Sequence, residues 1–210
     1  VAAWFADQSA AEATYGHIST WETGGVTDMS ELFCGASWEE SCNSAAASFN
    51  EDIGAWDTSG VQTMTAMFAY TSAFDQDISG WAVHNVKYMS QMFAEATSFN
   101  QDISGWAVHS VTDMYAMFGS ASAFDQDLGW CVDNDVDLDD AFGGTPCAST
   151  SCGVVQMDNC PTPKPTPRPT PSPISESSSS ASTSSSSGSS SQKSNEDDIA
   201  DDDKMMTLVV

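Results

Sequence analysis

Phe49, Phe74, Phe99 and Phe124 recur at a fixed interval of 25 residues. Between them one phrase repeats, F-[ND]-[QE]-D-[IL]-x-x-W and then V-x-x-M-x-x-M-F, in copies at 49–73, 74–98 and 99–123. A constant period in the range of about 20–50 residues is the mark of a stacked-repeat architecture. One such coil cannot bury its own apolar face, so its neighbours must supply the core. The fold class expected is therefore a repeat solenoid, and such chains usually offer a surface.

Aligned by the period, the apolar positions fall into columns. Trp56, Trp81 and Trp106 share one, with Ile53, Ile78 and Ile103 three residues before it. Val61, Val86 and Val111 form another, followed by Met64, Met89 and Met114, by Met67, Met92 and Met117, and by Phe68, Phe93 and Phe118. The columns between them vary (Gln62, Lys87, Thr112), as positions outside a core do. Ile18, Trp21, Val26, Met29, Leu32 and Phe33 keep the same spacing and make a first coil, followed by an insertion at 34–43. Phe124, Leu128 and Trp130, with Leu138, Ala141 and Phe142, make a shortened last one. Five coils result, with a core ladder of Trp21, Trp56, Trp81, Trp106 and Trp130. Each coil is expected to carry a short parallel strand at the Asp-Ile-Ser segment (52–54, with Gly at 54, and 77–79 and 102–104) and a short helix or 3₁₀ turn at V-x-x-M-x-x-M-F.

The sequence FNQDISGWAVHSVTDMYAMFGSASAF at 99–124 resembles the repeat of the BspA-like leucine-rich-repeat surface proteins of bacteria and unicellular eukaryotes. The resemblance covers about 14–147. It implies a right-handed, leucine-rich-repeat-like solenoid at a cell surface, used for adhesion or binding. It carries over no catalytic residue. The insertion and the shortened last coil depart from the pattern.

Charge limits the partners. Thirty acidic residues face five basic ones, and Lys87 is the only Lys or Arg before position 164. Residues 1–160 hold 23 Asp and Glu, a formal net charge of −22. That surface repels nucleic acid and anionic lipid and attracts polycations, basic proteins and divalent ions.

Six cysteines (Cys34, Cys42, Cys131, Cys147, Cys152, Cys160) lie near the two ends of the array. An even number in that placement is expected to form disulfides that staple the ends, paired sequentially as 34–42, 131–147 and 152–160. Zinc is disfavoured, since no C-x-x-C occurs and no histidine lies near 147–152. Oxidised cysteines point to an extracellular or lumenal setting.

The domain reading is a lead-in at 1–13, the solenoid at 14–147, a Cys-rich cap at 148–160, a Pro/Ser/acidic stretch at 161–204 and an apolar stub at 205–210. PTPKPTPRPTPSP followed by a serine-rich run cannot bury enough apolar surface to fold. Such composition reads as an extended, O-glycosylated stalk, with a plain linker as the alternative. No N-x-[ST] acceptor occurs. No signal peptide is visible, and MMTLVV is far short of the roughly 20 residues that span a bilayer. It is compatible with the start of a membrane anchor beyond residue 210.

Asp52, Asp77, Asp102 and Asp127 form an acidic column, with Asn50, Asp75, Asn100 and Asp125 two residues before it. Like charges stacked at about 4.8 Å repel, so such a column needs a cause. Local acceptance of corner amides in Asx turns is the favoured one, and calcium, which takes carboxylate ligands, the alternative. No loop has the D-x-D-x-D-G spacing. The acidic cluster at 133–140 is a second calcium candidate. His84 and His109 share a column, but two ligands seldom make a metal site. G-x-S-x-G, P-loop and H-E-x-x-H motifs are absent.

The function expected is a non-enzymatic surface or secreted protein that presents a binding face to an extracellular protein or glycan, with no cofactor. An acidic, cation-binding wall or matrix protein is one alternative, and the binding arm of a larger surface enzyme another.

Overall fold

The computed structural model describes residues 1–161. The expected stalk beyond Pro161 and the stub at 205–210 lie outside the described residues.

Successive coils lie side by side in register. Asp28, Thr63, Tyr88, Asp113 and Asp137 pair in sequence, each parallel to the next. Around them every second backbone N–H donates sideways. Met64, Ala66, Phe68 and Tyr70 donate to the carbonyls of Tyr88, Ser90, Met92 and Ala94 at 2.7–2.9 Å. The same four bonds recur one coil earlier from Met29, Glu31, Phe33 and Gly35, and one and two coils later from Met89 and Met114 onward. The N–H groups between them close tight turns within the coil, Met67 to Met64, Ala69 to Ala66 and Thr71 to Phe68. Thr65 N–H reaches the Thr63 hydroxyl. Every backbone donor from 64 to 71 is thus satisfied, as buried amides require.

This differs from the expected coil. The Asp-Ile-Ser segments carry no strand; the parallel pairing runs instead through V-x-x-M-x-x-M-F, the stretch read as a helix. Apolar residues at i, i+3, i+6 and i+7 suit a helical face, but a chain of three-residue turns turns the same positions inward. Val61, Met64, Met67 and Phe68 are all buried. The turns closed by Met67 and Thr71 carry positive φ at their third residues, Ala66 and Tyr70, as type II turns do. Glu31, Ala66, Gln91, Ala116 and Asp140 share one such column, at φ 48–58°. Tyr70, Glu95, Ser120 and Gly144 share a second.

The core is an aromatic and methionine stack. Phe68, Phe93 and Phe118 lie 5.4–5.6 Å apart with near-parallel rings, and each packs at 3.9–4.1 Å on the Phe that opens the next repeat. Trp21, Trp56, Trp81, Trp106 and Trp130 are 3–5% exposed. The indole N–H of Trp81 donates to Ile53 and that of Trp106 to Ile78, each one coil back, at 3.2 Å. Among the described residues no buried side-chain nitrogen or oxygen lacks a partner.

The ends are closed differently. The lead-in folds into helices α1 (Ala2–Ala6) and α2 (Gln8–Tyr15), which the repeat pattern did not foresee. Asp7 caps α2 by accepting from Ala10 N–H, and Gly16, at φ 77°, ends it. Trp4 is buried edge-on against Trp21, and Phe5 packs on Phe33 and Phe49, so α1 covers the open face of the first coil. At the other end strand β1 (Cys131–Val132) pairs in parallel with β2 (Val155–Gln156). Residues 148–160 thereby lie along the last coil.

Three disulfides form, Cys34–Cys42, Cys131–Cys160 and Cys147–Cys152. The expected 131–147 and 152–160 pairs are corrected. The β1–β2 register sets Cys131 against Val155, and the chain beyond β2 brings Cys160 to it. Cys147 precedes a kinked 3₁₀ segment (Ala148–Gly153) and Cys152 lies within it, 4.8 Å away at Cα.

Candidate functional site

The acidic column is occupied with local work. Asp52, Asp77 and Asp102 each accept the backbone N–H two residues on, Gly54, Ser79 and Ser104, at 3.0 Å. Asp57 does the same with Ser59 at 2.9 Å, and Asp28, Asp113 and Asp137 repeat the turn elsewhere. Hydrogen bonds from the Ser79 hydroxyl and then its amide hold the Asp77 carboxyl below its ordinary range; Ser104 does so for Asp102 and Ser59 for Asp57. Asp127 stands apart, since Gly129 follows it in the shortened coil and its carboxylate lies against Gly153.

The neighbouring column forms a ladder along the stack. Asn50 Oδ1 accepts from Asp75 N–H, Asp75 from Asn100 N–H and Asn100 from Asp125 N–H, at 2.9–3.0 Å. The amides of Gln76, Gln101 and Gln126 clamp the carbonyl one coil back at 2.8–2.9 Å. These side chains satisfy corner amides that lie outside the turn ladder.

The remaining candidates are dispersed. His84 and His109 are both exposed, and the His84 ring contacts Asn85. Asp133, Asn134, Asp135, Asp158 and Asn159 line a shallow concavity at the C-terminal end, where Asn134 donates to Asp158 at 2.7 Å. Asp139 and Asp140 lie on the turn ladder, outside that lining. Among the described residues no three His, Cys, Asp or Glu side chains gather as a metal centre would need. One ion pair occurs among them, His17 to Glu51 at 3.6 Å, charged only when His17 is protonated.

The surface residue that sequence reasoning passed over is Trp38. It sits in the Cys34–Cys42 loop, 69% exposed, and meets Tyr70 edge-on at 4.7 Å. The other six tryptophans are buried. The available signal was that Trp38 lies off the 25-residue register and inside a cysteine-bounded insertion. Tyr88 and Tyr115, on the outward side of the turn ladder, are also exposed.

The family described as "Mycoplasma protein of unknown function, DUF285" matches residues 2–130, more than half of the 210. No curated protein and no solved structure matches the chain.

Proposed function

The chain belongs to the DUF285 family, and we propose that it is a non-enzymatic, extracellular repeat protein whose stacked coils form a leucine-rich-repeat-like solenoid of the BspA-like kind. In this reading residues 14–147 are a rigid scaffold that presents its outer face to a protein or glycan. The observation that carries it is the coil-on-coil ladder, in which the same backbone bonds recur from coil to coil whatever side chains point outward. Such a scaffold permits free variation at Gln62, Lys87 and Thr112 while the core columns stay apolar.

Two further observations support it. The conspicuous carboxylates and indoles hold turns and core, so none of them converges as a nucleophile–base pair would. Three disulfides in residues 1–160 suit an oxidising, extracellular compartment. The test is an array of extracellular proteins and glycans probed with the full chain. A specific, saturable hit is expected. Substrate turnover abolished by a single substitution would overturn the reading.

A cation-binding wall protein is the second reading, favoured by the 23 Asp and Glu of residues 1–160 against Lys87 alone. Calorimetry with millimolar calcium tests it, and the absence of both heat and a Tm shift would refute it.

A further inference from the structure

A tryptophan left mostly in water is unusual, and this one is held there. The Cys34–Cys42 bridge closes the insertion, and Asn43 N–H bonds the Cys34 carbonyl at 2.8 Å. Gly35 N–H donates to Ala69 at 2.8 Å, and a Cβ at Gly35 would lie 2.5 Å from the Tyr70 carbonyl oxygen. The base of the loop is thus clamped to the second coil, with Cys34 and Ala36 buried against Ala69. Tyr70 meets Trp38 in a T-shaped contact at 4.7 Å while 69% of Trp38 stays in solvent. Glu39 and Glu40 follow it, both exposed. Residues 1–160 as a whole carry 23 acidic side chains against Lys87 alone.

We propose that the Cys34–Cys42 loop is a docking anchor for a cationic, Lys- or Arg-bearing protein segment. Trp38 stacks on the partner's guanidinium or ammonium group, and Glu39 and Glu40 neutralise it. An indole face attracts such cations most strongly of the aromatic rings. Trp, Tyr and Arg are the side chains over-represented at binding hot spots. The stapled loop reduces the ordering cost of association. The excess of negative charge repels acidic partners and speeds the approach of basic ones. The inference rests on the reading of the chain as a binding module.

The experiment titrates an octa-arginine peptide into the oxidised, full-length chain by calorimetry at about 0.15 M salt, where diffuse attraction is screened. Saturable binding is expected. Trp38→Ala should weaken it about tenfold and Trp38→Tyr by much less. The double change Glu39→Gln with Glu40→Gln should weaken it and flatten its salt dependence. Glu12→Gln with Glu22→Gln, acidic residues outside the loop, should leave it unchanged. Each variant is accepted only if its urea unfolding midpoint matches the parent's. Equal binding by Trp38→Ala, or no binding by the parent chain, overturns the proposal. So does a neutral oligosaccharide such as cellohexaose bound in a Trp38-dependent way while the peptide stays inert. Any of these leaves the binding-module reading intact, whereas catalytic turnover would remove that reading itself.

Discussion

Replacing Trp81 tests the inside–outside assignment of the whole stack. The residue is 4% exposed; its ring lies 6.1 Å from that of Phe68 and 6.5 Å from that of Trp106, and its N–H bonds the Ile53 carbonyl. A buried indole removes about 150–250 Å² from water, worth roughly 4–6 kcal/mol at about 25 cal/mol per Å². Residual burial in the unfolded chain reduces that to about 3–5 kcal/mol. The Ile53 carbonyl, left without its donor, adds about 1 kcal/mol. Trp81→Ala should therefore cost about 4–6 kcal/mol, at or just above the upper end for aromatic truncation in a core. Trp38→Ala deletes the same atoms from a 69% exposed site and should cost less than about 1 kcal/mol. Both are measured by urea unfolding followed by far-UV circular dichroism, with the disulfides oxidised. Equal costs for the two would place the Trp81 column on the surface and refute the packing argument.

The turn ladder predicts that Gln91, exposed at φ 55°, prefers glycine to a β-branched residue; Gln91→Gly should be more stable than Gln91→Val by about 2 kcal/mol in the same assay. Gly153→Ala should destabilise by about 1–3 kcal/mol, because φ is +76° and a Cβ would sit 1.8 Å from Asp127 Oδ1. Adding Asp127→Ala should recover only the steric part, leaving the backbone strain. The lowered carboxyl of Asp77 binds its proton less readily when folded than when unfolded, so its contribution is complete above about pH 4 and fades as pH falls through the folded value. Asp77→Asn, which retains an oxygen acceptor for Ser79, should lose its difference from the parent in acid; a difference that persists at pH 2–3 would show that the charge has no part in the turn.

Much of the array could be read from residues alone. The burial of the Trp, Met and Phe columns follows from a strict period, because a stacked core allows only one inward set. The secondary structure inside each coil did not follow. Spacings of three and four residues fit a helix and a run of three-residue turns equally well, and the choice depends on sideways bonds to neighbouring coils that a single repeat does not encode. Ala66, Gln91 and Ala116 gave no warning of positive φ, since glycine, its usual sign, is absent from that column. The α1–α2 cap lay outside the repeat, and the cysteine pairing depended on a two-residue strand contact. At the candidate site the Asx-turn role of Asp52, Asp77 and Asp102 was visible in their two-residue offset to Gly or Ser. Trp38 was not, because seven tryptophans with five in register made the core the natural assignment for all.

The Cys131–Cys160 bridge also decides how the molecule responds to tension. A pull on the chain downstream of Pro161 meets Cys160 first. The covalent link hands the load directly to Cys131, 29 residues earlier. The intervening segment, including β2 and the smaller Cys147–Cys152 loop, sits in a slack parallel branch that cannot extend while the bridge holds. Reduction would put that branch in series with the rest, and drawing out its contour length of up to roughly 100 Å would strip the last coil of its bonds from Met114, Ala116, Phe118 and Ser120. Under oxidising conditions the force instead enters the array at Trp130 and Cys131, where an indole stacked 6.3 Å from Trp106 ties the last coil to the one before it.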